Sequence, residues 1–286
     1  MAPEPLMGDR GHAGGTAHKE TKMTDVSQGQ VDCRIDQGVA WVGFNRPESR
    51  NAMTWSMYDA LERLCRELEA DPQVVAVVFH GCGGKAFVAG TDIKQFADFE
   101  GGEAGVNYER RIDSVIAGLE NLRKPTIAML EGFCVGGGAA IALACDFRYC
   151  TPTLKFGVPI AETLGNCLSV TNLSRLMDLL GVARTKQVLM AAELIDAPQA
   201  LVAGLVGGVF EADAIRQEVE RKAQAFAGRA PLTVQATKDV INRVLAHRRT
   251  PADGSDDWIR TCYGSRDFKA AVDKFVSKTP FEWTGE

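Results

Sequence analysis

The chain has 286 residues, 45% hydrophobic and 24% charged, an ordinary globular composition long enough for one large domain or two small ones. Its 32 Lys and Arg against 37 Asp and Glu give a formal charge of −5, which argues against a general nucleic-acid binder with a basic stripe. No apolar run reaches membrane-spanning length, so the sequence reads as a soluble, cytoplasmic protein without a membrane partner.

Residues 1–30 are rich in Gly, Pro, Thr, Ser and charge and show no apolar period, so a disordered extension is expected there. No apolar stretch marks a secretory signal, and Glu4, Asp9, Glu20 and Asp25 argue against an organelle transit peptide. Residues 31–35 and 39–44 read as strands of a hairpin around Asp36-Gln37-Gly38. Thr54 is placed to cap a helix in which Met57, Leu61, Leu64, Cys65 and Leu68 recur at helical spacing, and Asp71-Pro72 ends it. Residues 74–80 form a nearly continuous apolar run, as a buried strand does. Next come a glycine turn at 81–84, a short strand at 87–89, a short helix at 92–96 and a longer helix at 106–122. A strand at 125–130 then precedes Gly136-Gly137-Gly138 and an alanine-rich helix former. Short strands are expected at 147–150 and 154–156, and helices at 170–180, 184–191, 197–203, 212–228, 232–247, 255–263 and 266–276. This order gives an α/β core over 31–210 and a helical region over 211–286.

Eight cysteines are present, none in a C-x-x-C pair, which favours reduced thiols over a disulfide framework or zinc site. Neither His80 nor His247 has a partner at metal spacing; the first reads as a strand end and the second as serving a helix dipole. No metal and no separate cofactor are expected. The glycine-rich stretches fail as nucleotide motifs. Gly136–Gly138 lacks the third small residue of G-x-G-x-x-G, and Gly84-Lys85 is followed by Ala86 rather than Ser or Thr. No G-x-S-x-G elbow is present.

Three adjacent glycines at a helix mouth leave bare N–H groups facing outward, where the helix dipole adds partial positive charge. Such a turn can hold an anion or oxyanion, or it can simply let a helix pack closely on a strand. A second strand–glycine–helix element, Ala89-Gly90-Thr91-Asp92-Ile93-Lys94, supports the first alternative, because two such N–H sources can converge on one carbonyl oxygen.

These segments together resemble the enoyl-CoA hydratase/isomerase, or crotonase, family. The ordered matches are Phe44-Asn45-Arg46-Pro47 with Asn51-Ala52; Phe87-x-Ala89-Gly90-Thr91-Asp92-Ile93-Lys94; Lys124-Pro125-Thr126-Ile127-Ala128 with Gly132 and Gly136-Gly137-Gly138; Ala142 to Asp146; Phe156-Gly157-x-Pro159; Ala203-Gly204-Leu205-Val206; and the tail from Asp267 to Phe275. They span about residues 31–282. The resemblance implies stacked ββα units with a helical C-terminal trimerisation region, trimers or hexamers, and acyl-CoA thioesters as substrates, CoA being part of the substrate. It places the oxyanion hole at Thr91 N–H and Gly137 N–H. It also lays CoA along Ala89 to Lys94 and Gly136, with Arg50 available for a phosphate. Phe275 and Lys278 match tail positions that reach CoA from a neighbouring subunit in relatives; a buried helix face and a solvated lysine account for them equally well.

The sequence departs from the family where hydratases keep two glutamates. One position is Ala140, two residues after the glycine triplet; the other is Ile160, directly after Pro159. Neither side chain can transfer a proton. Glu162 lies nearby, in a loop one residue longer than the hydratase pattern. A lone carboxylate beside an oxyanion hole suits double-bond isomerisation better than two-group hydration. Glu162 is equally readable as a surface acid, and Asn166 and Cys167 are further candidates for the pocket wall. The resemblance implies an enoyl-CoA hydratase/isomerase-like enzyme. The alternatives are an acyl-CoA-binding protein without turnover, or another reaction of the family: hydrolase, decarboxylase, dehalogenase or lyase.

Overall fold

A computed structural model describes residues 29–286. The extension expected over 1–30 therefore lies outside the described residues except at its end, where Gln30 opens the first strand. The chain folds as β1 (Gln30–Asp36), β2 (Val39–Asn45), α1 (Trp55–Ala70), β3 (Ala76–Gly81), β4 (Ala86–Ala89), α2 (Gly101–Glu120), β5 (Thr126–Leu130), β6 (Phe133–Val135), α3 (Gly137–Ala144), β7 (Phe147–Cys150) and β8 (Lys155–Gly157). It continues as α4 (Ile160–Thr163), α5 (Val170–Met190), β9 (Ile195–Asp196), α6 (Ala197–Val202), α7 (Ile215–Gln224), α8 (Pro231–Arg248), α9 (Asp256–Tyr263) and α10 (Arg266–Ser277).

Two sheets alternate along the chain. The first has the order β1-β2-β3-β5-β7, with β1 antiparallel to β2 and the others parallel. The second has the order β4-β6-β8-β9, with β9 antiparallel to β8. Each turn of the superhelix thus gives one strand to each sheet before a helix: β3-β4-α2, then β5-β6-α3, then β7-β8-α4. The continuous apolar runs follow from burial on both faces. Ala40, Val42, Phe44, Val77, Phe79 and Ala128 face the main core, while Val39, Trp41, Ala76, Val78 and Ile127 pack against Ile215, Val219 and Ala223 of α7.

Three local expectations change. The strand that feeds α3 is β6 and not the run at 125–130, which belongs to the first sheet. The chain crosses between sheets at Gly132, whose φ of 61° and tight approach to the Lys85 carbonyl exclude a side chain. Helix α2 begins at Gly101 rather than near 106. Its early glycines serve helix packing: a Cβ at Gly102 would strike the Arg260 backbone, and one at Gly105 the Tyr263 ring. The helices expected at 170–180 and 184–191 form one run broken at Gly181, where φ is 70° and ψ 167°.

The C-terminal helices fold back over the core. Helix α9 lies against α2, and α10 against the 3-10 turn Ile93–Phe96; Phe96, Val106, Leu164, Ile259, Tyr263, Phe268 and Val272 form one apolar cluster. Helix α8 is the exception. Leu232, Val240 and Val244 leave its outer face apolar and exposed. Beneath α8 lies a cavity of about 480 Å³ with Leu143, Leu179, Ile241 and Leu245 in its wall, away from the glycine turns. Among the described residues no helix is long and apolar enough to cross a membrane.

Candidate active site

The two glycine turns meet. Strand β4 is followed by Gly90 (φ 88°) and β6 by Gly136 (φ 54°), both in backbone conformations that L side chains rarely adopt. Strands β4 and β6 are parallel neighbours, so the turns leave the same edge of the second sheet. A Cβ at Gly136 would sit 3.4 Å from Gly90 Cα, and a Cβ at Gly138 would run into the Val88 carbonyl. The glycines therefore serve close packing as well as the turn.

The amides are left free by the local pairing. In the bridge between Met53 and Thr91, Met53 N–H donates to the Gly90 carbonyl at 2.8 Å and Asp92 N–H donates to the Met53 carbonyl at 2.9 Å. The pairing uses groups on either side of Thr91 N–H and not that amide itself. Gly137 is the first residue of α3, so its N–H has no intrahelical acceptor. Gly136 N–H donates to the Gly157 carbonyl and Ala140 N–H to the Gly136 carbonyl, which fixes the turn on both sides. Thr91 and Gly137 are both half-buried.

Thr91 is held by two phenols. Its Oγ1 is 2.8 Å from Tyr58 Oη and 2.9 Å from Tyr108 Oη. Burial pushes both phenols above the usual tyrosine range, so they stay neutral hydrogen-bond partners. The Tyr58 hydroxyl also occupies the space that a Cβ on Gly137 would need. Sequence reading missed both residues. A signal for Tyr58 existed: it lies three residues before Leu61 on the buried face of α1, where a polar tip needs a partner.

The loop after β2 braces the same region. Asn51 is fully buried in a left-handed conformation (φ 58°). Its side chain accepts from Arg46 N–H and donates to the Cys82 and Ala86 carbonyls. Arg46 pairs with Asp92 at 2.8 Å, and the Asp92 carboxylate also accepts from Lys94 N–H. Among the candidate CoA contacts, Asp92 is thus a structural brace. Ala89 N–H donates to the Arg50 carbonyl, and the exposed Arg50 guanidinium lies over the Phe133 ring at 4.8 Å. Ile93 packs into the aromatic cluster and Lys94 is exposed. Phe275 is exposed, and Lys278, in a left-handed cap, places Nζ 5.1 Å from the Phe275 ring centroid.

The proton-handling positions are apolar. Ala140 is buried in α3, and Ile160 packs on the core. Glu162 sits on the one-turn helix α4 and is exposed; its N–H donates to the Pro159 carbonyl. A different carboxylate is buried close by. Glu109 of α2 accepts from Tyr263 Oη at 2.6 Å and from Ser169 N–H at 3.1 Å. Burial raises its carboxyl to about 7, with these two hydrogen bonds opposing the shift. Asn166 Nδ2 donates to Tyr263 Oη at 2.9 Å, which ties the loop after α4 to α9. Cys167, next in that loop, packs into the aromatic cluster.

The comparisons with known proteins agree with the fold. The sequence model described as "Enoyl-CoA hydratase/isomerase" matches residues 34–286. A short-chain-enoyl-CoA hydratase of Clostridium acetobutylicum is 33% identical over 248 residues, covering 85% of this chain and 93% of that protein. Among solved structures, an enoyl-CoA hydratase/isomerase from Xanthobacter autotrophicus Py2 superposes with a TM-score of 0.76 at 26% identity, covering 88% of this chain and 98% of that one. An enoyl-CoA hydratase/carnithine racemase from Magnetospirillum magneticum gives 0.73 at 28% identity, with 90% and 96% covered. With two alternating sheets, two glycine turns in contact and a sequence match across nearly all the described residues, the chain belongs to the enoyl-CoA hydratase/isomerase family.

Proposed function

We propose that this protein acts on an acyl-CoA thioester by holding the thioester oxygen between Thr91 N–H and Gly137 N–H while the α-carbon takes on enolate character. The observation that carries this reading is the contact of the two glycine turns, each presenting an amide that local pairing leaves free. Developing negative charge on the oxygen makes those hydrogen bonds stronger in the transition state than in the ground state. In enzymes of this kind each donor contributes on the order of 3 kcal/mol. CoA runs along Ala89 to Lys94 and Gly136, with Arg50 at a phosphate and Lys94 beside it. Phe275 and Lys278 reach the CoA of a neighbouring subunit in a trimer or hexamer, and the exposed apolar face of α8 supports self-association.

The reaction is enoyl-CoA isomerisation or hydration, with Glu162 moving the proton. Turnover of crotonyl-CoA and a 3-enoyl-CoA, followed by the 2-enoyl thioester absorbance, tests this. Glu162→Gln is expected to lower the rate by at least about a hundredfold; an unchanged rate removes Glu162 from the mechanism. Ala140, Ile160 and the exposure of Glu162 favour a second reading, acyl-CoA binding without turnover. Tight CoA-ester binding with no turnover of any tested ester would establish that one instead.

A further inference from the structure

Residues 279–286, beyond α10, have no regular structure, yet they are held in place. Lys278 ends α10 in a left-handed conformation (φ 63°), and the chain then returns to the start of that helix. There three groups donate to the Asp267 carboxylate: Thr284 N–H at 2.9 Å, Thr284 Oγ1 at 2.8 Å and Gly285 N–H at 2.7 Å. Asp267 N–H, in the first turn of α10, lacks an intrahelical acceptor and donates instead to the Glu286 carbonyl at 3.0 Å. On the way, Lys274 Nζ lies 5.4 Å from the Phe281 ring centroid, and Phe281 meets Trp283 edge to face at 4.6 Å. So anchored, the Trp283 indole covers Gly165. A Cβ at Gly165 would lie 2.8 Å from its Cζ3 and 3.3 Å from its Cη2. Gly165 is the residue that closes α4: it has a φ of 69°, and its N–H donates to the Ile160 carbonyl at 2.8 Å, as glycine does at a helix C-terminus. Leu164 N–H donates to the same carbonyl at 3.1 Å.

We propose that Trp283 is a positioning residue for Glu162: the segment after α10, anchored on Asp267, seats its indole on Gly165 and so fixes α4 and the carboxylate that α4 carries. This rests on the reading of Glu162 as the group that moves the proton. Helix α4 is a single turn of four residues, none of them buried, and so short a helix is not stable by itself. Its placement comes from what holds its ends. Ile160 packs on the main core and Leu164 in the aromatic cluster, while Trp283 covers the glycine that closes the last turn. Proton transfer needs donor and acceptor within hydrogen-bond reach, so a small displacement of α4 lowers the rate without touching the groups that bind CoA. Gly165 thus answers two demands at once, a positive φ and room for the indole. The anchor reaches the site from a second direction as well, because α10 lies against the Ile93–Phe96 turn next to Thr91 and Asp92.

The test combines two measurements on the full chain: amide hydrogen exchange, read by mass spectrometry on a peptide covering residues 160–166, and turnover of crotonyl-CoA and a 3-enoyl-CoA. Trp283→Ala is expected to speed exchange in that peptide about tenfold. It should also lower kcat about tenfold with KM little changed. Trp283→Phe keeps a ring on Gly165 and should stay within about twofold of wild type in both. Asp267→Ala cuts the anchor without touching Gly165 and should follow Trp283→Ala. In the Glu162→Gln background Trp283→Ala should cost nothing further, because it acts through that carboxylate. Unchanged exchange in Trp283→Ala, faster exchange with kcat unchanged, or a fully additive loss in the Glu162→Gln background overturns the proposal alone. A wild-type chain without turnover, or turnover that Glu162→Gln leaves unchanged, overturns the reading beneath it together with this one, and both are seen without altering Trp283.

Discussion

The two halves of the candidate site are built differently. The proposed carbonyl-facing half consists of backbone: Gly90-Thr91 and Gly136-Gly137, held by a parallel strand pair, a bridge to Met53 and the phenols of Tyr58 and Tyr108. The proposed proton-facing half consists of side chains, and these are apolar at 140 and 160 and exposed at 162. Backbone donors need only the fold to be in place, so they persist while the side chains around them change. A family can therefore keep carbonyl polarisation constant and vary what happens to the proton.

The largest effect expected falls on the backbone half. Gly137→Pro removes one N–H and should lower any thioester turnover about a hundredfold or more. Proline suits the first position of a helix, so the backbone tolerates it. Its Cβ meets the Tyr58 hydroxyl, and Gly137→Ala carries the same collision while keeping the amide. The difference between these two variants isolates the hydrogen bond; equal rates would break the distinction between the halves. Glu162→Gln tests the other half, with the expected loss of at least about a hundredfold stated above.

Next in size is a pH effect on stability. Glu109 sits near 7 where an ordinary glutamate sits at 4.5. Between those values the folded chain keeps a proton that the unfolded chain has lost. Stability should therefore fall as pH rises from about 4.5 through about 7, by on the order of 3 kcal/mol. Glu109→Gln should flatten that slope in denaturant titrations at pH 5 and pH 8. Parallel slopes for the two proteins would show that Glu109 is charged throughout. The smallest effect concerns Thr91. Tyr58→Phe removes one of two hydroxyls from Thr91 Oγ1, worth about 1 kcal/mol, and should lower kcat severalfold with KM little changed. A loss of a hundredfold would mean that the phenol joins the chemistry rather than positioning the threonine.

The two glycine turns were legible in the sequence because glycine at a positive φ leaves a one-letter trace. The short strands β4, β7 and β8 followed from local pattern, whereas Thr91 and Gly137 were singled out through the family resemblance. The brace was not legible: Arg46 and Asp92 are far apart in sequence, as are Tyr58 and Thr91, and no local pattern reports such pairs. Strand β6 escaped because the longer apolar run at 125–130 reads as the strand before the glycine triplet, and the start of α2 because Gly102 and Gly105 look like loop residues. Glu109 did leave a trace. It stands between Val106 and Ile112 on the buried face of α2, where a carboxylate is out of place.

The central claim is that two amides polarise a thioester oxygen, and the carbonyl stretch of a bound acyl-CoA reads this directly. With butyryl-CoA labelled with carbon-13 at the thioester carbonyl, the wild-type complex should show that band moved to lower frequency than in water, and Gly137→Pro should return it towards the free value. A bound ester whose carbonyl band stays where it lies in water would contradict the account.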